Sequence, residues 1–348
     1  MGLLKHLLVV LFLGAPVWAK KPVRVYVLAG QSNMEGKVQN KLLEYQANAS
    51  ETKDLFAHLR QDDQWIKRKD VFIKFLGRHG QLTIGYGSRD RTGTELEFGT
   101  VMGANYEEPV LLIKTAWGGH SLYRNFRPPS VGLPSTEVLE AELEKARLAV
   151  ERNNEKHQRD QPLPTMDEIC SKYGLSYREM LKEVRTTIDG CDQLFPELKG
   201  REKRISGFVW FQGWNDQYGG AEKEYARNLE HLIRDVRKDL NAPRMPVIIG
   251  VMGQNGSKES KGAMKVIQEA QLAMENVSDF HGNVRAVRTD CLIDQAAEAL
   301  YPTWRKNIPE WEKVGSDHGY HYLGSAIWFN RMGRAFAKAM LELSGDDS

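Results

Sequence analysis

Five short apolar runs recur along this chain, separated by longer stretches, several of which have helical periodicity. The runs are Val23–Leu28 (VRVYVL), Pro109–Lys114 (PVLLIK), Gly207–Phe211 (GFVWF), Met245–Met252 (MPVIIGVM) and Val284–Arg288 (VRAVR). Each suits a strand and is too short for a typical helix, and near-continuous apolar content marks a strand covered on both faces. Between them, 136–153, 221–240 and 262–277 read as amphipathic helices, and 323–343 as a closing helix with a polar tail. Strands alternating with helices predict an α/β fold whose parallel sheet is covered on both faces.

Two regions fit this scheme poorly. Residues 40–95 are polar with mixed charges and read as a solvated excursion carrying a short hairpin around Gly77–Gly80. Residues 157–204 read as a small helical insertion between the first covering helix and the third strand. Residues 20–348, the insertion included, read as one domain, since 348 residues with 41% hydrophobic content can bury a large core. Residues 1–19 have the layout of a secretory signal, with Lys5 and His6, an apolar run over Leu7–Leu13 and small residues before a cleavage site after Ala19. The processed chain is therefore expected to be secreted or periplasmic. No later segment has the apolar length of a membrane span, so no membrane association is expected after processing.

Lysine plus arginine total 48 against 46 acidic residues, a net charge of +2. That balance gives no field to gather nucleic acid. Cys170, Cys191 and Cys291 are too few for a disulfide scaffold. Export permits one bridge, Cys170 with Cys191, and three free thiols are an equal alternative.

In parallel sheets ligands collect beyond the carboxyl ends of the strands. Four polar, Gly-rich stretches stand at such places: Gly30-Gln31-Ser32-Asn33 after the first run, Thr115–Leu122 (TAWGGHSL) after the second, Gln212–Asp216 (QGWND) after the third, and Ser316–Ser325 (SDHGYHYLGS) before the last helix. Serine is a poor nucleophile until a base takes its proton, and the base is usually an imidazole oriented by a carboxylate. Ser32, Asp317 and His321 offer that set. The G-x-S-x-G elbow of α/β-hydrolases is absent.

These blocks together, GQSNM, Gly118-Gly119, WFQGWND and DHGYHYLGS, resemble the SGNH-type carbohydrate esterases, in particular the sialate O-acetylesterase-like and acetylxylan-esterase-like group. The resemblance runs from Val23 to about Met340, outside 157–204. It implies a flavodoxin-like three-layer α/β/α sandwich and a secreted carbohydrate O-acetylesterase working without a metal or other cofactor, with an acetylated carbohydrate as substrate. Carried over, Ser32 is the nucleophile, His321 the base and Asp317 the orienting acid. The oxyanion is met by the backbone N–H of Ser32, by Gly118 or Gly119, and by a side-chain amide, Gln212 or Asn215, with Gln212 favoured.

The sequence departs from the group twice. Trp214 stands where the third block usually has Glu, and the D-x-x-H spacing is stretched to Asp317-x-x-x-His321, with the freedom of Gly319 expected to absorb the extra residue. Trp117, Trp214 and Tyr218 read equally as core or rim aromatics and as sugar-stacking platforms. Two other functions stand beside the leading one. A metal hydrolase would use Asp317, His318 and His321 as ligands and needs a further strong ligand that the sequence does not offer. A carbohydrate-binding protein of the same fold would have lost turnover through Trp214. The sugar itself is not legible in these blocks.

Overall fold

Val25, Val27 and Ala29 lie on one face of strand β1 (Val23–Gly30), Tyr26 and Leu28 on the other, and all five are buried. The two-residue period of a strand thus feeds two separate cores. In the computed structural model, which describes residues 20–345, β1 is the centre of a seven-stranded sheet. The other strands are β2 (Val71–Phe75), β3 (Arg78–Gln81), β4 (Val110–Ala116), β5 (Lys203–Phe211), β6 (Val247–Val251) and β7 (Val284–Arg288). Their order is β7-β6-β5-β1-β4-β2-β3, all parallel except the edge strand β3, which runs antiparallel to β2. The leader expected at 1–19 lies outside the described residues. Among those residues no helix is long and apolar enough to cross a membrane.

Helices α1 (Glu95–Asn105) and α6 (Ala326–Ser344) cover the face carrying Tyr26 and Leu28. Helices α3 (Leu175–Asp189), α4 (Tyr225–Asp239) and α5 (Gly262–Ala273) cover the other. The architecture is the expected α/β/α sandwich, with three differences in detail. The hairpin at Gly77–Gly80 exists, but its strands extend the main sheet, and Val71, Phe72, Ile73 and Phe75 are core residues. Helix α1 was not anticipated; Gly99 and Gly103 interrupt its apolar pattern because Leu82, Leu112 and Val71 pack within 3 Å of where their Cβ atoms would sit.

The third difference reverses two roles. The expected covering helix, α2 (Thr136–His157), buries only Leu139 and packs over a small cluster with Ile169 and Tyr173. The segment read as an insertion supplies α3, whose Tyr177, Met180, Leu181 and Val184 lie against the sheet. Cys170 belongs to the outer cluster and Cys191 to the main core; both, like Cys291, are free, so the bridge considered from sequence is not formed.

Under the sheet's carboxyl edge lies a buried ion pair. The Nζ of Lys114 is 3.0 Å from Glu95 and donates to the carbonyl of Glu35 at 2.9 Å, and both charged side chains are fully buried. Burial pulls the Lys114 pKa down despite the attraction of Glu95. Removing one partner strands the other charge, so Glu95→Leu is expected to cost about 3–5 kcal/mol of stability, whereas Glu95→Leu with Lys114→Met recovers most of it. Urea denaturation of the three proteins measures both.

Candidate active site

The chain reverses direction across the sheet at β1: β4 lies on one side and β5 on the other, and the crevice beyond their carboxyl ends is where such folds bind ligands. The three strands end level, with Gly30 paired to Ala116 and to Phe211. Gly30 is at φ +155°, and a Cβ there would sit 2.1 Å from the carbonyl oxygen of Phe211. Only glycine lets the strands approach so closely. The next residues form one helical turn, Ser32–Glu35, which buries Ser32 to 5% exposure.

Gln31, anticipated only as part of a motif, holds this turn to the loop after β5. Its Nε2 donates to Asn215 Oδ1 at 3.1 Å, and its Oε1 accepts from Gln212 Nε2 and from the N–H groups of Gly213 and Asn215. Asp216, also unforeseen, ties the same loop to the one after β4: its carboxylate accepts from the N–H groups of Leu122 at 2.8 Å and Tyr123 at 2.7 Å and from Gln212 Nε2 at 2.6 Å. Burial pushes the Asp216 carboxyl up to about 6, against the lowering effect of those three donors.

This network separates the two candidate amides. The Nε2 of Gln212 is buried and already faces three acceptors, Asp216, Gln31 and the His120 carbonyl. Asn215 uses its oxygen to accept from Gln31, which turns its Nδ2 outward, 4.0 Å from the Cβ position of Gly119. Gln212 therefore has no free N–H to offer, whereas Asn215 Nδ2 has no hydrogen-bond partner among the described residues. The backbone N–H groups of Ser32, Gly118 and Gly119 have no hydrogen-bond partner among the described residues, and the Cβ position of Gly118 lies 3.9 Å from Ser32 Cβ.

Asp317 and His321 come from the loop before α6. His321 Nδ1 is 3.1 Å from Asp317 Oδ1. The other Asp317 oxygen pairs with Arg91, which also donates to the carbonyl of Lys37 at 3.0 Å. Nothing in the sequence connects Arg91 to a residue so distant. Burial would raise the Asp317 pKa, but His321, the N–H of His318 and Arg91 outweigh it and hold the carboxyl well below the usual range. The side chain of Asn33 donates to the carbonyl of Tyr320 at 3.2 Å, fastening the serine turn to the histidine loop. Ser32 Oγ has no hydrogen bond to His321; such bonds often tighten only when substrate binds.

Gly319, expected to absorb the stretched spacing, has no positive φ; the unusual backbone lies beyond His321. Tyr322 and Leu323 both adopt left-handed backbone, at φ 52° and 61°. Tyr322 is held there by burial and by its hydroxyl, which accepts from the N–H of Gly253 and bonds Thr289 Oγ1, each at 2.9 Å. His318 points away from the pair and stacks on Tyr320. Trp117 packs on His120 and Phe126, and Tyr218 is exposed. Among the described residues no group of three His, Cys, Asp or Glu side chains is arranged to hold a metal ion.

The sequence model of the family described as carbohydrate esterase, sialic acid-specific acetylesterase, matches residues 22–158 and 165–298. The chain belongs to this family. The match runs through most of 157–204, in keeping with the core position of α3, and ends before Asp317 and His321. A probable carbohydrate esterase of Arabidopsis thaliana is 32% identical over 72 residues, 20% of this chain and 26% of that protein. Its crystal structure superposes over 92% of this chain and 98% of its own, with a TM-score of 0.50 and 16% identity. A carbohydrate acetylesterase from Xanthomonas citri gives a TM-score of 0.51 at 13% identity, over 92% of this chain and 57% of its own. These likenesses establish the shared fold.

A depressed carboxyl stabilises the fold above its unfolded pKa of about 3.9, and that contribution is lost as pH falls through the lower folded value. Asp317→Asn is therefore expected to be less stable than wild type at pH 7, with the gap closing below about pH 4 in denaturant titrations. The same substitution should lower kcat for ester hydrolysis by orders of magnitude, about 10²–10⁴-fold, whereas His318→Ala lowers it less than about tenfold.

Proposed function

We propose that this chain is an exported carbohydrate O-acetylesterase that acts through an acetyl-serine intermediate. The observation that carries the reading is the meeting of two arms at one strand end: Ser32 beside unpartnered N–H groups at Gly118 and Gly119, and the Asp317–His321 pair fastened to it through Asn33 and Tyr320. Export rests on residues 1–19 alone.

In this mechanism His321 Nε2 takes the Ser32 proton as Oγ attacks the acetyl carbonyl carbon, while Asp317 holds Nδ1 and stabilises the imidazolium. The carbonyl electron pair moves onto oxygen, where the N–H of Ser32, an N–H of Gly118 or Gly119, and Nδ2 of Asn215 meet the new charge. The tetrahedral species collapses, the sugar oxygen leaves with the proton from His321, and the acetyl group stays on Ser32. Water, deprotonated by His321, then repeats the sequence and releases acetate. No step calls for a metal.

Ser32→Ala is expected to lower acetate release at least about 10³-fold with the fold intact, and wild type should label with a fluorophosphonate at Ser32 and keep its activity in EDTA. A sugar-binding protein without turnover would neither label nor release acetate, and loss in EDTA restored by zinc would favour a metal hydrolase.

The amides give a separate expectation. Asn215→Ala should lower kcat about 10²–10³-fold with little loss of stability. Gln212→Ala leaves the buried Asp216 short of a donor, so it should lower the unfolding midpoint as well. Kinetics and thermal denaturation of the two variants, taken together, separate the catalytic amide from the structural one.

A further inference from the structure

Two aromatic side chains stand immediately beside the two arms of the site. Trp214 precedes Asn215, and Tyr320 precedes His321. Their ring centroids are 6.0 Å apart with planes tilted by 44°. Tyr320 meets the His321 ring edge-on at 4.5 Å, and its carbonyl receives the Asn33 bond that fixes the serine turn. Although the residues that follow it, Tyr322 and Leu323, are buried, Tyr320 is 41% exposed. An aromatic ring left in solvent next to a catalytic base, in a loop that otherwise turns inward, loses hydrophobic stabilisation that burial would give.

The wall is firm. His318 stacks on Tyr320 at 5.2 Å and 23°, and Trp304 in turn packs edge-on against His318 at 6.0 Å. Trp214 is partly buried against the α4–α5 side of the core. Side chains held in this way lose little further rotamer freedom when a ligand arrives.

The chemistry fixes which part of a substrate meets this wall. His321 gives its proton to the departing oxygen, so the alcohol half of the ester lies on the His321 side of Ser32, where Tyr320 and Trp214 stand. The acetyl methyl lies elsewhere. We infer that Trp214 and Tyr320 form the subsite for the pyranose ring that carries the acetyl ester, stacking against its C–H face and setting the enzyme's preference for sugar esters over small alkyl esters. This rests on the esterase reading above.

The test compares kcat/KM for a monoacetylated methyl pyranoside with that for ethyl acetate. In Trp214→Ala and in Tyr320→Ala the ratio of the two should fall about tenfold, mainly through a higher KM for the sugar ester, and Trp214→Phe should restore most of the ratio in place of Trp214→Ala. A ratio unchanged in both alanine variants, with the two substrates affected equally, would overturn the subsite and leave the wall a structural one. Failure of the esterase reading is distinguishable, because wild type would then release no acetate and leave Ser32 unlabelled. In that event calorimetric titration with the unacetylated methyl pyranoside still decides: binding lost in Trp214→Ala supports the subsite, and wild type that does not bind refutes it.

Discussion

Everything at the site depends on how closely β1 and β5 approach at their carboxyl ends. With no side chain at Gly30, the N–H of Gln31 reaches the carbonyl of Phe211, and the N–H of Trp117 reaches the carbonyl of Gly30. Three strands are then locked at one level, and Ser32 begins a helical turn whose first N–H groups have nowhere to donate within the helix. A serine hydroxyl and unsatisfied donors therefore appear together at the mouth of the sheet. The buried Nζ of Lys114, which donates to the carbonyl of Glu35, supports the far end of the same turn.

Polar satisfaction then divides the labour among side chains that look interchangeable. Gln31, Gln212 and Asp216 form a buried network in which almost every donor and acceptor is used. Such a network fixes loop positions but has no capacity to answer a charge that appears during a reaction. Asn215 stands at its margin, with its oxygen committed and its nitrogen free. On the loop before α6, Asp317 is met by Arg91 and by the N–H of His318, which together with His321 hold its carboxyl well below the usual range.

The sequence announced five of the seven strands of the main sheet, most of them as nearly unbroken apolar runs. It hid β2 because VFIKF sits among charges, KRKD before it and GRHG after it, and the alternation there is short. The exchange of roles between α2 and α3 has a similar cause. Thr136–His157 has regular helical spacing, but its apolar residues are small or thinly spread, whereas α3 concentrates Tyr177, Met180, Leu181 and Val184 on one stripe. For the candidate site, residue types at strand ends were enough to single out Ser32, the glycine pair and the Asp–His loop, which the structure places at one edge of the sheet. They could not show that the N–H groups of Gln212 are already spent and those of Asn215 are not, because the partners of Gln212 come from three different loops.

The two left-handed residues after His321 also bear on how the protein works over time. Tyr322 is bonded to Gly253 and Thr289, at the ends of β6 and β7, and its ring packs on Phe211 and Trp328. His321 is thus carried by a projection of the sheet itself, braced through Tyr322 on three neighbouring strands. Moving His321 means breaking hydrogen bonds at the ends of two sheet strands, so this loop holds its shape as the core does.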